Sequence, residues 1–230
     1  MKTKIIFEDE DILIVHKPSG IATQTDRMGQ IDVVSELKNY LAKKGKNTYI
    51  GVIHRLDQPV EGLLVFAKNK KAAANLSKQL TDGVLKKYYF ALVYGSPESQ
   101  EGEFVDELVK CPGNISAVKE SVEDLKLCGQ AKWARLQYHN CYTKRFLDEY
   151  SYSLVEIELF TGRHHQIRVQ MSHHGMPLLG DMKYGTEASL ELSQKMELHK
   201  TALLAYRLVL KHPKTGKMVE FELKMPDKWQ

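Results

Sequence analysis

Short, β-rich apolar stretches punctuated by turn residues recur along this chain, whereas helical periodicity appears in three places only. Strand character reads over 4–7, 11–16, 62–67, 87–94, 102–109, 131–141, 151–160, 202–210 and 218–224. Helical spacing reads over 32–44, with Asp32 as cap and Gly45 as stop. It reads again over 70–82, between Asn69 and Gly83, and over about 164–174, ending at Gly175. Strands that outnumber helices, with no regular alternation, exclude a doubly wound parallel sheet. They predict an α+β fold with a mixed, largely antiparallel central sheet and flanking helices.

No linker, repeat or low-complexity tract divides the 230 residues, so one catalytic-size domain spanning 1–230 is expected. Thirty-three basic against 29 acidic residues leave a net charge of +4, which permits a nucleic-acid partner without demanding one. Three cysteines, Cys111, Cys128 and Cys141, with no CxxC pair argue against a disulfide framework or a cysteine-based zinc site. The start lacks a signal-peptide core, and no apolar run reaches the roughly 18–20 residues of a membrane span. A protein of a reducing cytoplasm, without membrane association, is the expectation.

Four segments can carry chemistry. In His54-Arg55-Leu56-Asp57, a carboxylate stands at the mouth of the apolar strand GLLVFAKN, where nucleophiles and bases are often placed. The competing reading of Asp57 before Pro59 is a plain turn residue. Thr161-Gly162-Arg163-His164-His165-Gln166-Ile167-Arg168 opens a helix within an acid-free stretch, 161–180, and suits an anion; the alternative is a solvated basic turn. Residues 68–87 hold six lysines against one acid, with Tyr88 and Tyr89 on opposite strand faces. Lysines and tyrosines can hold RNA phosphates and stack on bases, or simply solvate a helix. The run DILIVHKPSG reads as a strand and turn. His165 and His173 lack the three- or four-residue spacing of helical metal pairs, so no metal is expected.

The order of these pieces is more specific than any one of them. DILIVHKPSGIATQ, HRLDQPVEGLLVFAKN, KKYYFALVYG and LFTGRHHQIRVQMSHHGMPLLGDMKYG together resemble the RluA-type pseudouridine synthases, from about residue 5 to 225. The resemblance implies a sheet crossed by a central catalytic cleft and cofactor-free isomerisation of uridine to pseudouridine in rRNA or tRNA. It implies that Asp57 is the catalytic aspartate, Tyr89 the tyrosine against the target base, and Arg168 the aspartate's basic partner. His54, Arg55, Arg163, His165, Gln166, Lys70, Lys71 and Lys78 are the expected RNA-binding residues, in a monomer with no obligatory protein partner. Two departures stand out: Val60 and Glu61 replace the usual Thr and Ser or Thr, and the motifs begin too early for an N-terminal S4 domain.

The chemistry fits these residue types. The N1–C1′ bond breaks, the base turns, and C5 rejoins C1′; a carboxylate can add to C1′ or shield a cationic intermediate, as in retaining glycosidases. The uridine must be flipped from its helix or loop to enter. Other functions are distinguishable. A nuclease needs a metal carboxylate cluster, a glycosylase releases free uracil, an RNA-binding module tolerates loss of Asp57, and a structural domain has no RNA affinity.

Overall fold

In a computed structural model the described residues are 1–26, 29–122 and 125–229, so Arg27 and Met28, in the expected polar loop 22–31, lie outside them. The chain forms two compact units, residues 1–87 with 204–224, and 88–203 with 225–230.

The first unit is a sheet with two helices. Strands β1 (Lys4–Glu8), β2 (Ile12–Lys17), β4 (Glu61–Ala67), β10 (Leu203–Lys211) and β11 (Met218–Glu222) follow one another, and the short β3 (Gly51–Val52) pairs with the far end of β4. The β4–β10 pair is parallel; β1–β2, β2–β4, β3–β4 and β10–β11 are antiparallel. Ile12 to Val15 are fully buried, as expected of a strand covered on both faces. Helix α1 (Val33–Lys43) starts where Asp32 accepts from the Ser35 N–H at 2.7 Å, and buries Val33, Val34, Leu37 and Leu41. Helix α2 (Lys70–Thr81) starts at Asn69 and packs Ala72 and Leu76 against Ile12, Ile14, Leu63 and Val65. Gly62 has φ of +139°, and a Cβ there would meet the Ala205 carbonyl oxygen at 2.4 Å. Only glycine lets β4 run alongside β10 at that point.

The second unit is an antiparallel sheet in the order β5 (Lys86–Tyr94), β9 (Tyr150–Leu159), β8 (Lys132–Phe146), β6 (Glu101–Cys111), β7 (Ile115–Val118). The first two residues of β5 belong to the first unit. Ala134, Leu136 and Tyr138 of β8 face inward and alternate with exposed Trp133, Arg135 and Gln137. Helix α3 (Gln166–His173) lays Val169 on Leu108, Val118 and Ala134. The α+β class and the largely antiparallel pairing agree with the sequence reading.

Three local expectations are corrected. Helix α3 begins at Gln166 because His165 is left-handed, with φ of +55°, and cannot sit within a helix. A fourth helix, α4 (Glu187–Lys195), is not legible in the sequence. Its inward face is Ser189, Leu192 and Ser193, too polar to register as an apolar stripe. Cys111 and Cys128 form a disulfide, against the sequence expectation. The segment after β7 folds back along β6, with Gly129 N–H on the Lys110 carbonyl at 2.8 Å, and this return brings the two thiols together. Among the described residues no helix is long and apolar enough to cross a membrane.

Candidate active site

In the first unit, the loop between β3 and β4 carries His54 to Asp57. Leu56 is buried and clasped at both ends: its N–H donates to Thr23 Oγ1, and the Thr23 hydroxyl donates back to the Leu56 carbonyl. A tight turn follows, Val60 N–H onto the Asp57 carbonyl at 3.1 Å. The segment Lys17-Pro18-Ser19-Gly20 grips this turn. Gly20 N–H donates to the Gln58 carbonyl at 2.8 Å, and the Ser19 hydroxyl to the Pro59 carbonyl at 2.8 Å. The half-buried Asp57 is therefore held on a doubly anchored loop.

Lys17 is the cation beneath that loop. It is 0% exposed, and its Nζ donates to the carbonyls of Ile21 at 2.7 Å, Pro18 at 3.1 Å and Gln58 at 3.2 Å. Burial pulls its pKa down to about 8, while the charges of Asp57 and Glu61 pull it back up. Nothing in a lone Lys-Pro marks this residue; the only sequence signal is its place at the end of β2, after the apolar run Ile12–Val15 and His16. Glu61, the departure from the family pattern, pairs with His16 of β2 at 2.8 Å.

His54 turns onto the backbone of β4. Its Nε2 accepts from the Val65 N–H at 3.3 Å, so Nδ1 carries the proton, and Nδ1 is buried with no hydrogen-bond partner among the described residues. Burial, with the nearby charge of Lys87, lowers its pKa to about 3 and keeps the ring neutral. Arg55 is exposed. Lys70, Lys71 and Lys78 are exposed on α2, with Lys78 3.7 Å from Asp82. The lysine-rich stretch is not one cationic face, however: Lys68 is buried against Glu8 at 2.9 Å, and Lys87 is 6% exposed.

In the second unit, Arg168 of α3 is buried and forked onto Asp181. Its Nε and Nη2 reach the two carboxylate oxygens at 2.6 Å each. Asp181 Oδ1 also accepts the N–H of Lys183 at 3.0 Å, and the Tyr184 ring lies under the guanidinium at 5.1 Å. The Tyr184 hydroxyl accepts from Ser116 N–H and shares a hydrogen bond of 2.7 Å with His165 Nδ1. Burial and then the charge of Arg168 lower the His165 pKa to about 3 and keep its ring neutral. His164 stacks on His165 and bonds the Ser116 hydroxyl. Gln166 is buried. Its amide oxygen accepts from Thr161 and from Arg163 N–H, while its nitrogen donates to the Arg135 carbonyl and to Gln170. It thereby shapes the turn that presents exposed Arg163, whose Nε is tied to the Trp133 carbonyl at 2.8 Å. On β5, Tyr89 is buried and Tyr88 half-buried, opposite Ile157 and Glu158. Asp181 stands in the GDxxYG motif, but the sequence does not mark its role, because its partner lies thirteen residues away.

The pieces available to chemistry are a carboxylate on a rigid loop over a buried ammonium, and a pre-oriented guanidinium with no rotamer freedom to lose. Residues 11–173 match the family described as RNA pseudouridylate synthase. The dual-specificity RNA pseudouridine synthase RluA of Vibrio parahaemolyticus is 34% identical over 93% of this chain and 79% of its own length. The ribosomal large subunit pseudouridine synthase D of Zymomonas mobilis is 35% identical over 99% of this chain and 70% of its own. The fold is similar to that of the human RNA pseudouridylate synthase domain containing 1, with a TM-score of 0.76, 21% identity, and coverage of 97% of this chain and 84% of that one.

Proposed function

Because the chain belongs to the RNA pseudouridylate synthase family, isomerases that act on RNA, we propose that Asp57 is the carboxylate through which it converts uridine to pseudouridine in rRNA or tRNA. The observation that carries this reading is the anchoring of the Asp57 loop by Lys17, Ser19 and Gly20. A carboxylate that must meet C1′ of a flipped nucleotide gains most from being fixed in advance.

In this reading Asp57 adds to C1′ or shields the positive charge there as the N1–C1′ bond breaks. The base turns and C5 bonds to C1′, displacing the Asp57 carboxylate where it has added; the proton on C5 is then lost and N1 gains one. On the family resemblance, Tyr89 packs on the base, where it can help remove the C5 proton, and Arg168 is the basic partner of the aspartate. Asp181 serves as a positioning residue, since it fixes the Arg168 fork. Arg55, Arg163, Lys70, Lys71 and Lys78 supply phosphate contacts, while the neutral His54 and His165 and the buried Gln166 shape the loops that bear Arg55 and Arg163. RNA is the partner; the chain acts in the cytoplasm as a single catalytic domain and a monomer, with no cofactor.

The test is base-resolution pseudouridine mapping of rRNA and tRNA incubated with the purified protein. The wild type introduces pseudouridine at defined positions, and Asp57→Asn, which keeps the shape, lowers the rate by on the order of 10²–10⁴-fold or more. A variant that works at the wild-type rate removes Asp57 from the chemistry.

A further inference from the structure

Two groups of metal-type side chains assemble from residues far apart in sequence, and their histidines differ in what they already do. The first joins Asp9, Asp11 and His212. There His212 Nδ1 accepts the backbone N–H groups of Lys214 and Thr215 at 3.3 Å each, so Nε2 carries the proton that it gives to Asp9 at 2.6 Å. That ring closes the β10–β11 loop and offers no lone pair to the carboxylates.

The second group joins Asp106 of β6 to His173, the last residue of α3, and His174, its cap, with one ligand atom from each within 4.8 Å of the others. We infer that Asp106, His173 and His174 form a binding site for a divalent transition-metal ion of the zinc class, which clamps the end of α3 to β6. The sequence reading expects no metal because His165 and His173 lack the three- or four-residue spacing of helical metal pairs. Asp106, 67 residues upstream of His173, is supplied only by the fold.

The donor set suits such an ion. Zinc is bound by imidazole nitrogen and carboxylate oxygen at roughly 2.0–2.2 Å, which places tetrahedral ligand atoms about 3.3 Å apart. His174 Nε2 is already 3.2 and 3.3 Å from the two Asp106 oxygens. The ligands are also held from behind, as metal ligands characteristically are. The His174 ring stacks face to face on Phe104, 3.8 Å between centroids and 8° from parallel. Asp106 Oδ2 accepts the amide of Gln170 at 2.6 Å, and Gln170 is 0% exposed. His173 is exposed, with the Ser121 hydroxyl 3.2 Å from its Nδ1, and the fourth position is left to water. Asp106 brings a single negative charge, which a dication more than balances. The clamp would act on the helix that carries Arg168, and it stands independently of the isomerase assignment.

The test is calorimetric titration of the full chain with zinc ion, with the exposed thiol Cys141 changed to serine in every sample so that it cannot contribute a site. One zinc binds per chain, and at a hundredfold excess over Kd the Tm rises by about 5–10 °C. His173→Gln, at an exposed position that costs little stability, weakens binding at least tenfold, as do His174→Gln and Asp106→Asn. Gln170→Ala weakens it by about 10–100-fold by removing the support behind Asp106. His139→Gln, a surface histidine elsewhere, leaves it unchanged. Absence of one-to-one binding at 100-micromolar zinc (about 10⁻⁴ M, the weak end of metal sites), or binding undiminished in His173→Gln, overturns the site.

Discussion

The ammonium of Lys17 lies 3.2 Å from the carbonyl oxygen of Gln58, the residue directly after Asp57, so the buried end of β2 holds the loop that carries the candidate catalytic carboxylate. A lysine with three carbonyl acceptors satisfies all three of its donors, which is what makes full burial tolerable.

Replacing that lysine strands three carbonyls. Lys17→Met is expected to destabilise by about 2–4 kcal/mol in urea unfolding and to lower kcat for pseudouridine formation more than it raises KM. Lys17→Arg does not rescue, because a planar fork cannot meet three carbonyls arranged around a compact ammonium. Wild-type stability in Lys17→Met would show that the clasp is carried by Ser19 and Gly20 alone.

The Arg168–Asp181 pair has 5% and 0% side-chain exposure, so removing either partner leaves a buried charge. Arg168→Met and Asp181→Asn are each expected to cost about 3–5 kcal/mol. A double-mutant cycle gives strong coupling, with the double variant less damaged than the two single losses added together. Additive losses would separate the two residues energetically.

Lys87 is 6% exposed, and burial lowers its pKa from 10.5 to about 8. Between those values the unfolded chain holds the extra proton, so stability rises with pH in that window, by at most about 1.4 kcal/mol per pH unit for this group. Lys87→Met lacks this rise. Its stability relative to wild type is highest below pH 8 and falls as pH climbs toward 10.5. A difference that stays flat from pH 7 to 10 would contradict the buried, titrating lysine.

The exposed α2 lysines are expected to touch RNA phosphates without reaching the base. Replacing Lys70, Lys71 and Lys78 together by Gln reduces the salt slope of RNA binding by about 0.7 for each phosphate no longer neutralised, on single strands. Turnover on saturating RNA is retained. An unchanged slope would assign the phosphate-binding role to Arg55 and Arg163 instead.

Much of the architecture is legible in the sequence because it is local. Asp32 and Asn69 start their helices through side chains that bond three residues on. The strand periodicity of β8 survives in burial residue by residue, and His212 to Gly216 closes the β10–β11 turn. The fourth helix escapes because its buried serines imitate a solvated segment; the Ser193 hydroxyl accepts the N–H of Gly180 from another part of the chain.

The sequence by itself determined the α+β class, the position of Asp57 before β4, the alternation of Tyr88 and Tyr89, and, through the order of its motifs, the family. These depend on short-range propensity and on strings of residues that can be read in line. Only the tertiary structure decided which charges are buried and with whom. Lys17 turns inward onto three carbonyls, Lys68 leaves the cationic stretch for Glu8, Arg168 takes Asp181, and Cys111 finds Cys128. The physical reason is that desolvation and pairing depend on neighbours brought from distant positions, and the spacing of a single residue along the chain carries no record of them.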